Sequence, residues 1–90
     1  MMLATTTVEN VDQFLKIFST TSLTKRKQHG SKGATVYSDP TDASRVWVIF
    51  DWDAAGFKNF ATDPEVGPIL KAAGHKSRPE IATFLNHYTG

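Results

Sequence analysis

The sequence predicts an α+β fold of order β-α-β-β-α-β, an antiparallel four-stranded sheet with its helices on one face. Three observations carry that expectation. Arg45-Val-Trp-Val-Ile-Phe-Asp51 is a run of β-branched and aromatic residues of strand length. Asp39-Pro40-Thr41-Asp42 just before it is a tight turn, because Pro pre-sets its backbone angle and Asp can bond to the backbone ahead. Two apolar stripes at helical spacing, one on each side of this hairpin, complete the pattern.

The elements follow in chain order. Met2 to Val8 is rich in Thr and Val and reads as the first strand. Asn10 caps the next helix, with Gln13 three residues on, and Val11, Phe14, Leu15 and Phe18 form its apolar face. The helix fades through Thr20 to Ser22 and resumes to Gln28, with Gly30 as terminator. Ala34 to Ser38 is the second strand and pairs with Arg45 to Asp51 across the turn. Asp53 is an N-cap, and Phe57, Phe60 and Ala61 point inward from the helix that it opens. Asp63-Pro64 stops that helix. A short one begins there or at Pro68, presents Val66, Ile69, Leu70 and Ala73, and ends at Gly74. Glu80 to Tyr88 is the fourth strand. This is the split βαβ, or ferredoxin-like, order.

The third strand has a further property. Val46, Val48 and Phe50 make one face, Trp47 and Ile49 the other, and both are apolar. A half-buried strand alternates apolar with polar, so this one is expected to be covered on both sides. Ninety residues with two helical segments cannot cover both faces of a sheet. A second copy of the chain is the simplest cover, and a small domain without staples often gains stability from such pairing.

Composition narrows the function classes. A hydrophobic content of 40% and a charged content of 21% suit one soluble globular domain spanning residues 1–90. A net charge of +1 argues against a dedicated nucleic-acid or anionic-membrane surface. There is no cysteine, hence no disulfide and no thiolate nucleophile or metal ligand. The longest apolar run, Val46 to Phe50, is far short of a membrane span, and no signal-peptide pattern opens the chain. A cytoplasmic location is the default expectation.

The third strand running into Asp51-Trp52-Asp53, then Phe57-x-x-Phe60, Asp63-Pro64-Glu65 and the Ala72-Ala73-Gly74 helix end resemble the dimeric α/β-barrel proteins that include the antibiotic-biosynthesis monooxygenase-like domains. These motifs span about half of the chain and specify fold better than activity. The resemblance implies a homodimer whose two sheets meet face to face, with helices outside and a ligand-sized cavity inside. Its members include cofactor-free oxygenases of aromatic polyketides, haem-degrading enzymes, isomerases and cyclases. The haem-degrading type carries an Asn on the first strand, a Trp on the helix after the third, and a His ten residues beyond. Here Leu3 to Thr7 has no Asn, Phe60 stands at the Trp position and Leu70 at the His position. Haem degradation is not expected, nor is any other cofactor or metal.

The candidate chemistry is therefore sparse. His75 follows Gly74 in a loop with Lys76, Ser77 and Arg78 and is a candidate general base, since imidazole titrates near neutral pH. The plainer reading is a solvated loop residue at a helix C-terminus. His87, on the strand-four face with Ile81, Thr83 and Leu85, is the second candidate base, with a wet strand end as its plain reading. Trp47, Trp52 and Phe60 are candidate stacking contacts for a planar substrate, or core packing. Asp51 and Asp53 are explained as a strand end and an N-cap. Lys25-Arg26-Lys27-Gln28-His29 is read as cations complementing a helix C-terminus, with an anion site as the lesser alternative. The same element order builds RNA-binding domains, but Ile49 stands where their second stacking ring belongs and the first strand has no aromatic residue.

The sequence thus predicts a homodimer that binds a small, largely apolar or aromatic molecule between its sheets. Two function classes follow: cofactor-independent oxygenation, cyclisation or isomerisation with His75 or His87 as base, and a non-catalytic ligand-binding or structural dimer.

Overall fold

The computed structural model describes residues 1–90. Strands β1 (Met2–Thr7), β2 (Gly33–Ser38), β3 (Arg45–Asp51) and β4 (Glu80–Ile81) form one antiparallel sheet in the order β2-β3-β1-β4. Helices α1 (Val11–Phe18) and α2 (Thr21–Gln28) connect β1 to β2, and α3 (Ala54–Thr62) and α4 (Val66–Ala72) connect β3 to β4. This is the expected ferredoxin-like α+β arrangement.

Sequence chemistry explains most of the boundaries. The Asn10 side chain accepts the Gln13 backbone N–H at 2.9 Å and starts α1. Asp53 does the same for α3 with Gly56 N–H at 2.6 Å. Asp39 Oδ1 accepts the Thr41 and Asp42 N–H groups at 2.9 and 3.0 Å, which closes the β2–β3 turn. Gly30 and Gly74 adopt φ of +91° and +80°, the left-handed geometry that ends α2 and α4.

The sheet's inner face carries Ala4, Thr6, Val46, Val48 and Phe50, all buried under the helices. Phe14 of α1, Phe60 of α3, Val66 of α4 and Trp52 complete the same core. On the outer face, Thr5 lies opposite Trp47, Leu3 opposite Ile49, and Tyr37 opposite Trp47 on its other side. No helix covers that face, and Tyr37 is 52% exposed. The two apolar sides of β3 therefore have different fates within one chain: one is core, the other is open.

Several expectations need correction. Leu15 is exposed and Ile17 takes its place in the α1 stripe. The Asp63–Glu65 stretch is a turn in which Asp63 Oδ1 accepts the Glu65 N–H at 2.9 Å, so α4 starts at Val66. Pro68 then sits in the first helical turn, where an amide hydrogen has no partner to lose. The fourth strand is far shorter than Glu80 to Tyr88. The register of Ala4 opposite Ile81 puts Met2, the first residue of β1, opposite Thr83. Beyond that point the segment has no neighbouring strand to bond. Phe84, Leu85 and Tyr88 are 78%, 92% and 81% exposed.

Candidate functional site

A cavity of about 420 Å³ lies between the inner sheet face and the helices. Its walls are largely aromatic and aliphatic, with Phe14, Phe18, Phe50, Phe57 and Phe60 prominent. This hollow lies within one chain, whereas the cavity expected between two sheets would need the second copy. The outer face holds a hollow of about 170 Å³ beside Leu3, Trp47 and Ile81. The helices α1 to α4, of seven to nine residues each, leave the larger space open against the inner sheet surface.

His75 is on the cavity wall. Gly74 turns the chain at the end of α4, and the next residues zip against the end of β1. Glu9 N–H donates to the Gly74 carbonyl at 2.9 Å, and Lys76 N–H to that of Thr7 at 2.9 Å. Val8 and His75 form a β-bridge between these bonds. The imidazole lies edge-on to Phe14, with ring centroids 5.6 Å apart, and its Nδ1 is 3.0 Å from Thr6 Oγ1. The Thr6 hydroxyl also reaches the Ser77 carbonyl at 3.5 Å, an atom that can only accept. The Thr6 hydroxyl thus holds the Nδ1 edge of the ring and orients the imidazole, with Nε2 left without a protein partner. Burial lowers the His75 pKa below the ordinary imidazole value, so the ring is neutral at pH 7. A neutral imidazole on an apolar wall can accept a proton from a bound molecule.

The other candidates separate. Phe60 lines the cavity with His75. Trp52 stands behind it, edge-on to Phe60 at 5.3 Å and to Phe57 at 5.6 Å, and is buried core. Its indole N–H donates to the His29 carbonyl at 2.9 Å, tying the end of β3 to the α2–β2 loop. Trp47 is on the outer face, its indole N–H donating to Asp39 Oδ2 at 2.8 Å. That bond, with the turn amides, lowers the Asp39 pKa to about 2. His87 lies in the exposed segment after β4, away from the cavity, so its assignment to a strand-four face does not hold. No three His, Asp or Glu side chains converge as a metal cluster.

Two cavity residues were not singled out in the sequence. Thr6 was only one Thr of a strand, and its inward direction follows from the register. Arg26 belongs to the basic run read as cations complementing a helix C-terminus, with an anion site as the lesser alternative, and it is only 4% exposed and lines the cavity. Its Nη1 donates to Ser22 Oγ at 2.9 Å and its guanidinium carbon lies 3.6 Å from the Phe18 ring centroid. Burial lowers its pKa to about 10, which leaves it charged at neutral pH. The signal was present in α2 itself. That helix has no apolar stripe, so whatever it turns to the core has to be polar, and Ser22 and Arg26 share one face at i, i+4. The neighbours in the run behave differently. Lys25 Nζ pairs with Asp63 at 3.0 Å and Glu65 at 2.9 Å, and His29 Nε2 meets Asp63 at 2.9 Å.

No family model matches the sequence, and no curated protein sequence matches it. Solved structures do. SnoaB, a cofactor-independent oxygenase from Streptomyces nogalater, is 20% identical, with 96% of this chain and 92% of that one covered at a TM-score of 0.68. An antibiotic biosynthesis monooxygenase is 13% identical, with 97% of each chain covered and a TM-score of 0.65. A NIPSNAP domain protein from Burkholderia xenovorans is 18% identical, with 97% and 95% covered and a TM-score of 0.61. The antibiotic-biosynthesis monooxygenase-like resemblance read from the motifs is therefore borne out as a shared fold.

Proposed function

We propose that the protein is a homodimer that binds a small, largely apolar or aromatic molecule in the helix–sheet cavity and oxygenates it without a cofactor, with His75 as general base. The observation that carries the reading is a neutral, half-buried imidazole with a fixed Nδ1 partner on the wall of an aromatic cavity. The imidazole takes a proton from a CH2 of the bound molecule, leaving an electron pair delocalised as an enolate or phenolate. That carbanion adds to dioxygen to form a C–O bond, the imidazolium returns its proton to the peroxide, and loss of water across the O–O bond leaves a carbonyl, so this chemistry asks the protein only for binding, orientation and a base. The fold shared with SnoaB supports the same reaction class. Cyclisation or isomerisation would use the same proton abstraction.

A non-catalytic ligand-binding dimer is the second reading. The observation that favours it is that the His75 segment is also a structural staple, bridged to Val8 and bonded to Thr6. Oxygen uptake with enolisable aromatic ketones, measured for the wild type and His75→Ala, separates the two. The catalytic reading expects a fall of about 10²–10⁴-fold with ligand binding retained. Equal turnover in the two proteins would remove the histidine mechanism.

A further inference from the structure

Arg26 is the most costly residue that the site contains. A cation removed from water needs a counter-charge or a full set of hydrogen-bond acceptors, and an apolar residue of similar size would fill the same volume without that cost. No carboxylate lies within ion-pair distance of Arg26, and of its five N–H donors one is used, by Ser22. No fully enclosed side-chain nitrogen of the chain lacks a partner, so the other guanidinium nitrogens open onto the cavity. The face of Phe18 offsets part of the charge. The contrast with Lys25, one residue earlier, is direct: that ammonium is neutralised twice, by Asp63 and Glu65.

The rest of the cavity has the same sign. Arg26 is buried in its wall, Lys71, Lys76 and Arg78 line it as solvent-exposed residues, and none of the chain's nine acidic residues lines it. A chain of net charge +1 thus has four cationic residues and no carboxylate along one apolar hollow. A bias of one sign along a cleft favours a ligand of the other.

We propose that this cavity is an anion-selective site: Arg26 seats an anionic oxygen, carboxylate or ionised phenol or enol, carried by a ring-sized apolar ligand. This rests on the cavity being the ligand site, as above, and adds what the ligand must carry. A planar guanidinium presents its remaining donors in one plane, the geometry that suits two oxygens of a carboxylate or the oxygen of an enolate with a neighbouring carbonyl.

Calorimetric titration of the whole protein with 2-naphthoate and with the neutral 2-naphthamide tests the carboxylate form. A visible-absorbance titration of bound 4-nitro-1-naphthol tests the ionised-phenol form. The expected result is a preference of about tenfold or more for the acid over the amide, or a phenol pKa lowered by a unit or more on binding, the scale of one charge-assisted hydrogen bond. Arg26→Gln abolishes the effect and Arg26→Lys keeps part of it. If acid and amide bind alike and the phenol pKa is unmoved, the cavity still binds rings but does not select anions, and the proposal fails. If no probe binds, both the proposal and the cavity reading fail. Thermal melting supplies an arm independent of ligand. Arg26→Met, which fills the space without the charge, should melt no lower than the wild type. A lower melting temperature together with an unchanged acid preference in Arg26→Gln would assign the arginine to the fold and overturn the proposal.

Discussion

A β-carbon added at Gly56 would come within 2.7 Å of the His29 carbonyl oxygen and overlap the Trp52 indole nitrogen, the two atoms that bond each other there. Gly56→Ala therefore forces Trp52 out of its place among Phe50, Phe57 and Phe60, an overpacking cost of about 1–3 kcal/mol. Chemical denaturation measures this as a lower midpoint with an unchanged slope. His75 gives a prediction in pH. Its pKa is lowered in the folded state by burial, so well above the ordinary imidazole value of about 6.5 both states are neutral and the fold has its full stability. As pH falls through that value the unfolded chain takes the proton first, and stability declines until folded His75 is protonated too. His75→Gln should flatten this part of the stability–pH curve, and an unaltered slope would show that burial of the imidazole is not felt. Residues of this kind were only half legible in the sequence. His75 was identifiable because imidazole near a helix end is chemically conspicuous. Arg26 was harder to see because its neighbours in the basic run do what a surface run does, and on a helix with no apolar stripe the only pointer was the Ser22–Arg26 pair at i, i+4.

Elements were more legible than side chains, for reasons that differ among them. The bounds of β3 follow from its unbroken β-branched and aromatic run, and α1 and α3 from caps whose hydrogen bonds are present at Asn10 and Asp53. The length of β4 was not legible because a strand needs a neighbour as well as a sequence, and β1 ends the pairing. The helix–sheet cavity was not legible because no residue pattern records the space that short helices leave over a sheet. One link between elements is testable by charge. Asp63 joins α2 to the α3–α4 turn through His29 and Lys25. His29, the Glu65 amide and Lys25, in that order, hold its carboxyl well below the usual carboxylate range. The stabilisation is thus complete above the unfolded carboxylate pKa and is lost as pH falls through the lower folded one. Asp63→Asn should lower the melting temperature at pH 7, with the difference from wild type shrinking below about pH 5. A difference that stayed constant into acid would assign the effect to packing instead.

At the scale of the molecule, two apolar surfaces lack cover in one chain: the outer sheet face with Tyr37, Trp47 and Ile49, and the segment bearing Phe84, Leu85 and Tyr88. Exposed contiguous apolar patches beyond about 300–600 Å² are rare on soluble monomers. We propose that a second copy buries both, with the helices and their cavities turned outward. Light scattering should return twice the chain mass of 9.9 kDa at micromolar concentration, and a monomer mass across dilution would contradict it.

The central claim is that ligand enters between helices and sheet, not between two sheets. The two tryptophans report on these places separately, since Trp52 packs behind the cavity wall and Trp47 lies on the outer face. A ¹H–¹⁵N NMR titration with 2-naphthoate at fixed protein concentration reads both indole N–H signals at once. The account predicts saturable shifts at Trp52 and at the Thr6, Arg26 and His75 amides while Trp47 stays in place. Shifts centred on Trp47, Leu3 and Ile49, with Trp52 and His75 unmoved, would contradict it.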